Sequence, residues 1–67
     1  MAGLPIGAAL REAREAAGLT VAEAAAELHV ERTTLYRWEQ GTRTPSVLTE
    51  RVLREAVSRW LRKGAKR

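Results

Sequence analysis

The sequence predicts an all-α protein of four helices, of which the last is the longest. Apolar residues recur every three or four positions along most of the chain, the spacing of a helix with one buried face. Residues that favour helix ends separate these stretches. Residues 47–63 include neither Gly nor Pro, so they predict one helix of roughly 25 Å at ~1.5 Å per residue. A chain of 67 residues forms one domain, 1–67, with flexible ends expected at 1–4 and 64–67.

The first helix is predicted between Pro5 and about Ala17. Proline suits the first position of a helix because its missing N–H would have no partner there. Gly18 is interpreted as the end of the helix, since glycine readily takes the left-handed conformation. Four apolar residues at i,i+3 and i,i+4 spacing form the inward face: Ile6, Leu10, Ala13 and Ala17.

The second helix is predicted from the T-x-x-E pattern of Thr20 and Glu23. In such a capping box the Thr hydroxyl and the Glu carboxylate each accept a hydrogen bond from a backbone N–H at the helix start. The helix is expected to run to about Leu28. His29 then stands where the chain turns, and His is enriched among the few non-glycine residues at positive φ.

A third helix is predicted from near Glu31 to Gly41, a residue suited to the left-handed position after a helix. Leu35 and Trp38 lie three residues apart and form its buried side. Ala25 in the preceding helix is small enough for two helices to cross closely. Two helices joined by so short a turn form a helix-turn-helix, and the expected fold is a compact four-helix bundle containing this motif.

The fourth helix is expected after a polar, basic loop at residues 41–45. Ser46 suits its N-cap, and Gly64 is interpreted as its terminator. The apolar positions drift around the helix axis, so the first half is expected to cover the core and the second half to overhang it. A second copy of the chain in a homodimer is the expected contact of the overhanging residues Val57, Trp60 and Leu61, and Trp60 fits the core of its own chain equally well.

Composition excludes several classes of function. Without Cys the chain has neither a disulfide nor a thiolate site, and a single His cannot form a metal cluster. Asp is also absent and no catalytic constellation is present, so we expect no enzymatic activity and no cofactor. No apolar run approaches the ~18 residues of a membrane span, and no signal peptide is recognisable. The sequence therefore predicts a cytoplasmic protein.

The charge of +4 is unevenly distributed along the chain. Residues 1–30 carry two Arg against four Glu, a net charge of −2. Residues 31–67 carry ten Lys and Arg against four Glu, a net charge of +6. A basic second half that includes the second helix of the helix-turn-helix favours a nucleic acid as the partner.

Four features together resemble the Cro/CI-type (XRE-like) helix-turn-helix family of phage and bacterial repressors: LREAREAAGLT, the small Ala25, TTLYRWEQG and GTRTPS. The resemblance covers about residues 7–46. It implies a partly buried ion pair between Arg14 and Glu39. Two features depart from the family. The fourth helix is longer, and Val21 replaces a Gln that often bonds phosphate and braces a recognition residue.

The resemblance also implies which residues contact double-stranded DNA. Base contacts are expected from the start of the third helix, at Arg32, Thr33, Thr34, Tyr36 and Arg37. Arg can donate two hydrogen bonds to guanine, and a Thr methyl can contact the methyl of thymine. Phosphate contacts are expected from Thr20 and Val21, through the helix N-terminus, and from the loop residues Thr42, Arg43 and Thr44.

The expected function is a sequence-specific transcriptional regulator, most simply a repressor whose third helix, at residues 31–40, enters the major groove. A two-fold dimer would read half-sites about 34–36 Å apart. Two alternatives remain open. One is an excisionase or MerR-like protein of DNA architecture, whose family usually continues into a β-wing. The other is a helix-turn-helix adapter that binds a protein, such as an antitoxin or a modulator of RNA polymerase.

Overall fold

The computed structural model describes residues 5–65, which form four α-helices and, within that range, no strand. The helices are α1 at Ile6–Ala16, α2 at Val21–Leu28, α3 at Arg32–Gln40 and α4 at Val47–Ala65. The predicted all-α class is therefore confirmed. The predicted flexible ends at 1–4 and 66–67 lie outside the described residues.

The first three helices end in the same way, with a residue at positive φ. These residues are Gly18 at 74°, His29 at 59° and Gly41 at 80°, so the turn role predicted for His29 is confirmed. In each case the next amide donates to the carbonyl five residues back, as in a Schellman motif. The pairs are Leu19 to Arg14 at 3.0 Å, Val30 to Ala25 at 3.0 Å and Thr42 to Arg37 at 3.1 Å.

Side chains cap the starts of α2 and α4. The Thr20 hydroxyl accepts from the Glu23 amide at 3.1 Å, and the Glu23 carboxylate accepts from the Thr20 amide at 2.9 Å. The Ser46 hydroxyl accepts from the Thr49 amide at 3.2 Å. Both predicted caps are thus confirmed. They fix the points at which the chain enters each helix, because they satisfy amides that have no partner inside the helix.

One apolar core joins all four helices. Its buried residues are Ile6, Leu10, Ala13, Ala17, Ala24, Ala25, Leu35, Trp38, Leu53, Ala56 and Trp60. Helix α1 lies at the centre, between α3 on one side and α4 on the other. At Gly7 the backbones of α1 and α3 approach so closely that a Cβ atom would overlap the Trp38 carbonyl.

Of the two roles open to Trp60, the structure supports the core of its own chain and not a contact with a second copy. Trp60 is only 1% exposed, and its indole N–H donates to Glu27 Oε1 at 2.8 Å, which ties α4 to α2. Val57 is also partly buried against the core. Of the three predicted dimer contacts, Leu61 is the one with substantial exposure. The second half of α4 packs within the chain because its largest side chain has a pocket and a hydrogen-bond partner there.

Gly64 does not terminate α4, which continues to Ala65. The predicted end of the helix at about residue 63 is therefore two residues too early. A Cβ atom at Gly64 would lie 2.6 Å from the Ala16 carbonyl oxygen. Glycine is needed here because the two helices approach closely at the end of α1, and a missing side chain permits that approach.

Candidate nucleic-acid interface

Helix α3 has one buried side and one exposed side. Leu35 and Trp38 point into the core, as predicted. Four of the five predicted base-contacting residues are exposed: Arg32, Thr33, Tyr36 and Arg37. Tyr36 is 53% exposed, although it is an aromatic residue in a chain with a small core. The outward side of α3 is thus polar and cationic, with one aromatic ring in it.

Thr34, the fifth predicted base contact, is half-buried. It borders a cleft of about 320 Å³ between α3 and the loop that follows it. Arg37, Arg43 and Thr44 border the same cleft. Thr34 therefore faces the loop side of α3 instead of the middle of its exposed side. The structure brings Arg37, a predicted base contact, next to Arg43, a predicted phosphate contact.

Gln40 belongs to the exposed side of α3 and was not among the predicted contacts. It is exposed and lies one helical turn beyond Tyr36 and two turns beyond Thr33. The i,i+4 and i,i+7 spacing is the signal that could have identified it, since these positions share a helix face. Glutamine can pair with adenine through two hydrogen bonds in the major groove.

The loop after α3 folds back onto the end of that helix. The amides of Thr42 and Arg43 both donate to the Arg37 carbonyl, at 3.1 and 3.3 Å. The Thr42 hydroxyl donates to the same oxygen at 3.3 Å. The Thr42 hydroxyl therefore already donates its hydrogen within the chain, whereas the exposed side chains of Arg43 and Thr44 keep their donors for other partners. Of the three loop residues predicted to contact phosphate, these two are the better suited to donate to it.

The start of α2 is less suited to phosphate than the sequence suggests. The amide of Thr20 is already bonded to the Glu23 carboxylate. The amides of Val21 and Ala22 are the ones that the first turn leaves without a helical partner. The Glu23 carboxylate also places a negative charge beside them, which opposes a phosphate. Contacts from Thr20 and Val21 would therefore be weaker than those from the loop.

Arg14 and Glu39 hold α3 against α1. The guanidinium donates through Nε to Glu39 Oε2 at 2.9 Å and through Nη2 to Oε1 at 3.1 Å. Its Nη1 also donates to the Leu19 carbonyl at 2.9 Å, in the turn before α2. The two side chains are 12% and 3% exposed, and the hydrogen bonds that Arg14 donates to Glu39 raise the pKa of Arg14, although burial opposes this. The predicted ion pair is present and fixes α3 relative to the turn that precedes α2.

A shallow apolar pocket lies between the start of α2 and the exposed side of α3. Val21, Arg32, Thr33 and Tyr36 line its volume of about 220 Å³. We name it the Val21 pocket. Val21 is partly buried and packs against the core, whereas Arg32, Thr33 and Tyr36 are exposed.

The described residues contain no group of three or more His, Cys, Asp or Glu that could bind a metal ion. Among residues 5–65, no helix is both long enough and apolar enough to cross a bilayer.

Comparison with known families identifies one match. The sequence model of a family described as a helix-turn-helix domain matches residues 5–59. This range includes α1, α2, α3 and the first two-thirds of α4. Searches of curated proteins and of solved structures gave no significant match.

Proposed function

The chain belongs to the XRE/Cro-like helix-turn-helix family, and on that premise we propose that it binds double-stranded DNA sequence-specifically with α3 in the major groove. The observation that carries this proposal is the exposed side of α3. A helix with Arg, Thr, Tyr and Gln directed outward is held in a fixed orientation by the partly buried Arg14–Glu39 pair. Side chains on a rigid helix can read base edges, because a major groove is wide enough to admit one helix.

The proposed contacts divide into two kinds. Arg32, Arg37 and Gln40 are the candidates for hydrogen bonds to base edges, since Arg pairs with guanine and Gln with adenine. Arg43 and Thr44 are the candidates for phosphate contacts, which set the position of the protein without reading sequence. The shared cleft of Arg37 and Arg43 supports this division, because it joins a base-directed side chain to a phosphate-directed one on the same surface.

We propose transcriptional repression as the biological role, through occupation of an operator. The described fold consists of the helix-turn-helix and the helices that support it, so blocking access to DNA is the simplest action it offers. The architectural alternative receives no support from the fold, since residues 5–65 contain no strand that would form a β-wing.

A two-fold homodimer is part of the proposal, but with a different contact surface from the one the sequence predicts. Val47, Leu48 and Val52 are 78%, 74% and 60% exposed, and all three lie in the first two turns of α4. Large apolar residues clustered on an exposed surface are typical of interaction sites. These turns directly follow the loop of Arg43 and Thr44, so a second copy bound there would keep both α3 helices near one DNA face.

The same surface favours a second candidate function. A partner protein, instead of a second copy, could cover Val47, Leu48 and Val52, in which case the chain would be an adapter. The distinction is experimental. A DNA reader depends on Arg37, and an adapter that works through α4 depends on Leu48 and Val52 and tolerates the loss of Arg37.

The first experiment is a titration of random duplex DNA and of duplexes obtained by selection, between about 50 and 200 mM salt. If roughly 4–8 phosphates are contacted, log K should fall with log salt by about 0.9 per phosphate. Selected sites should bind at least ~10³-fold more tightly than random DNA. Absence of binding even at the lowest salt would overturn the proposal.

Three variants sharpen this titration. Arg37→Ala should relax specificity at one base pair, at a cost of about 1–3 kcal/mol on selected sites, and Arg43→Ala should weaken all duplexes alike and reduce the salt slope by ~1. The matched control is Arg11→Ala, which removes the same charge from the exposed side of α1. If Arg11→Ala and Arg37→Ala had the same effect, binding would depend on net charge and not on α3.

A further inference from the structure

The Val21 pocket differs from the rest of the α3 surface in its chemistry. The cleft shared by Thr34, Arg37 and Arg43 has polar and charged side chains along most of its border. The Val21 pocket is mostly apolar, with the Val21 side chain beside the Tyr36 ring. DNA is a polyanion and presents few apolar groups that could fill such a pocket. Few chemical groups of DNA can therefore be its occupant.

The major groove presents one apolar group, the methyl at carbon 5 of a pyrimidine. Thymine carries it by default, and cytosine carries it when methylated. The volume of about 220 Å³ is several times the ~30 Å³ that one water molecule occupies in the liquid. The pocket can therefore admit the methyl and the adjacent edge of the ring.

The polar side chains around the pocket are suited to the edge of a base in the major groove. Arg32 borders it and is exposed, so its guanidinium can donate to a neighbouring base or phosphate while its aliphatic part contacts the methyl. Thr33 adds a hydroxyl and a methyl of its own. The pocket is continuous with the outward side of α3, because Arg32, Thr33 and Tyr36 belong to both. A base edge that reaches α3 thus reaches the pocket.

We propose that the Val21 pocket binds the 5-methyl group of a pyrimidine and that Val21 and Tyr36 are specificity-determining residues for one base pair in each half-site. The inference rests on the proposed DNA binding. A polar residue at position 21 would offer hydrogen bonds to a base edge or a phosphate. Valine instead leaves an apolar recess, so this position contributes a preference for a methyl group.

The test replaces each thymine of a selected duplex, one at a time, by deoxyuridine, which lacks only the methyl. One position per half-site should lose about fourfold in affinity, equivalent to the ~0.8 kcal/mol of one buried methyl-sized group. A parallel series replaces each cytosine by 5-methylcytosine. A gain in affinity in that series, at a position where thymine is also accepted, would identify the methyl itself as the recognised group.

Variants assign the effect to the pocket. Val21→Ala and Tyr36→Ala should each bring the thymine-to-uracil ratio at that position close to one. Tyr36→Phe keeps the ring and should keep the ratio. Arg43→Ala should weaken binding to both duplexes and leave the ratio unchanged. Tyr36 is exposed, so its replacement keeps the test valid even if Val21→Ala, which alters a partly buried residue, lowers stability.

The outcomes separate this inference from the function on which it rests. A protein that prefers selected over random duplexes, but shows no methyl dependence at any position, would overturn the inference and leave DNA recognition intact. A methyl dependence that persists in both alanine variants would also overturn it, since another side chain would then be the reader. Failure to bind any duplex would overturn the proposed function itself.

Discussion

The two halves of α4 have similar composition but opposite surroundings. In the first half Val47, Leu48 and Val52 are exposed, although Leu53 is buried. In the second half Trp60 is buried and Gly64 lies against the end of α1. The sequence predicts that the first half covers the core, which the burial of Leu53 bears out, and that the second half overhangs it, which the burial of Trp60 contradicts.

Helix lengths account for the difference in exposure between the two halves. Helix α4 has nineteen residues, whereas α1, its main neighbour, has eleven. Gly64 meets Ala16 at the end of α1, and Glu50 and Arg54 share a cleft with Pro5 at its start. The two helices therefore run alongside each other in the same direction, and the first turn of α4 extends beyond α1. Apolar spacing identifies a helix face, but the length and position of the neighbour decide which part of that face is covered.

The largest expected effect is that of Trp60→Ala. Removing a large, fully buried aromatic side chain should cost about 3–5 kcal/mol of unfolding free energy, because a cavity remains. The measurement is urea unfolding followed by circular dichroism, with Leu61→Ala as the control from the same turn, since Leu61 is 43% exposed. Equal losses for the two variants would contradict the burial of the second half of α4.

Gly64→Ala should be destabilising by about 1–3 kcal/mol, because the new Cβ meets backbone atoms that cannot move aside. Helix propensity alone predicts the opposite sign, since alanine stabilises an exposed helix by about 1 kcal/mol relative to glycine. Thermal unfolding of the variant gives the sign directly. A stabilised Gly64→Ala protein would mean that the ends of α1 and α4 do not approach each other closely.

Glu27→Ala should have a smaller effect, of about 1 kcal/mol, because it removes the acceptor of the Trp60 indole N–H from a partly exposed position. Urea unfolding measures it, and Glu55→Ala serves as the control from an exposed site on α4. The double variant with Trp60→Phe, which has no N–H, should be less destabilised than the sum of the single changes. Strict additivity would argue that the hydrogen bond contributes nothing.

The smallest effect on the isolated chain is expected from Leu48→Ser combined with Val52→Ser. Surface replacements usually remain within about 0.5 kcal/mol. In a homodimer the same change should increase the dissociation constant, which analytical ultracentrifugation over a range of protein concentrations would measure. A change in dimer affinity for Leu61→Ser, but not for the double variant, would restore the second half of α4 as the dimer surface.

Local features of this fold could be predicted from the sequence, and contacts between distant segments mostly could not. The capping box of Thr20 and Glu23 depends on atoms of residues only a few positions apart. The turn at His29 does so as well. The Arg14–Glu39 pair could be predicted because the family resemblance links residues that are distant in the chain.

Three features had no decisive local signal. A glycine such as Gly64 indicates a helix end or a close approach equally well, and the choice depends on where α1 ends. The apolar side chain of Trp60 fits a core or an interface until its partner Glu27 is known. The Val21 pocket is a gap between two helices, and sequence spacing describes residues but not gaps.

Arg14 has a consequence for how this domain could change over time. Its guanidinium connects the last turn of α3 to the turn before α2, entirely from the buried side. The outward residues of α3 take no part in these bonds, so they can be exchanged without altering the angle at which the helix is presented. If α3 reads DNA as proposed, stability and specificity are encoded in separate sets of residues. Duplicated copies of this domain could acquire new DNA targets through a few outward substitutions while retaining one scaffold.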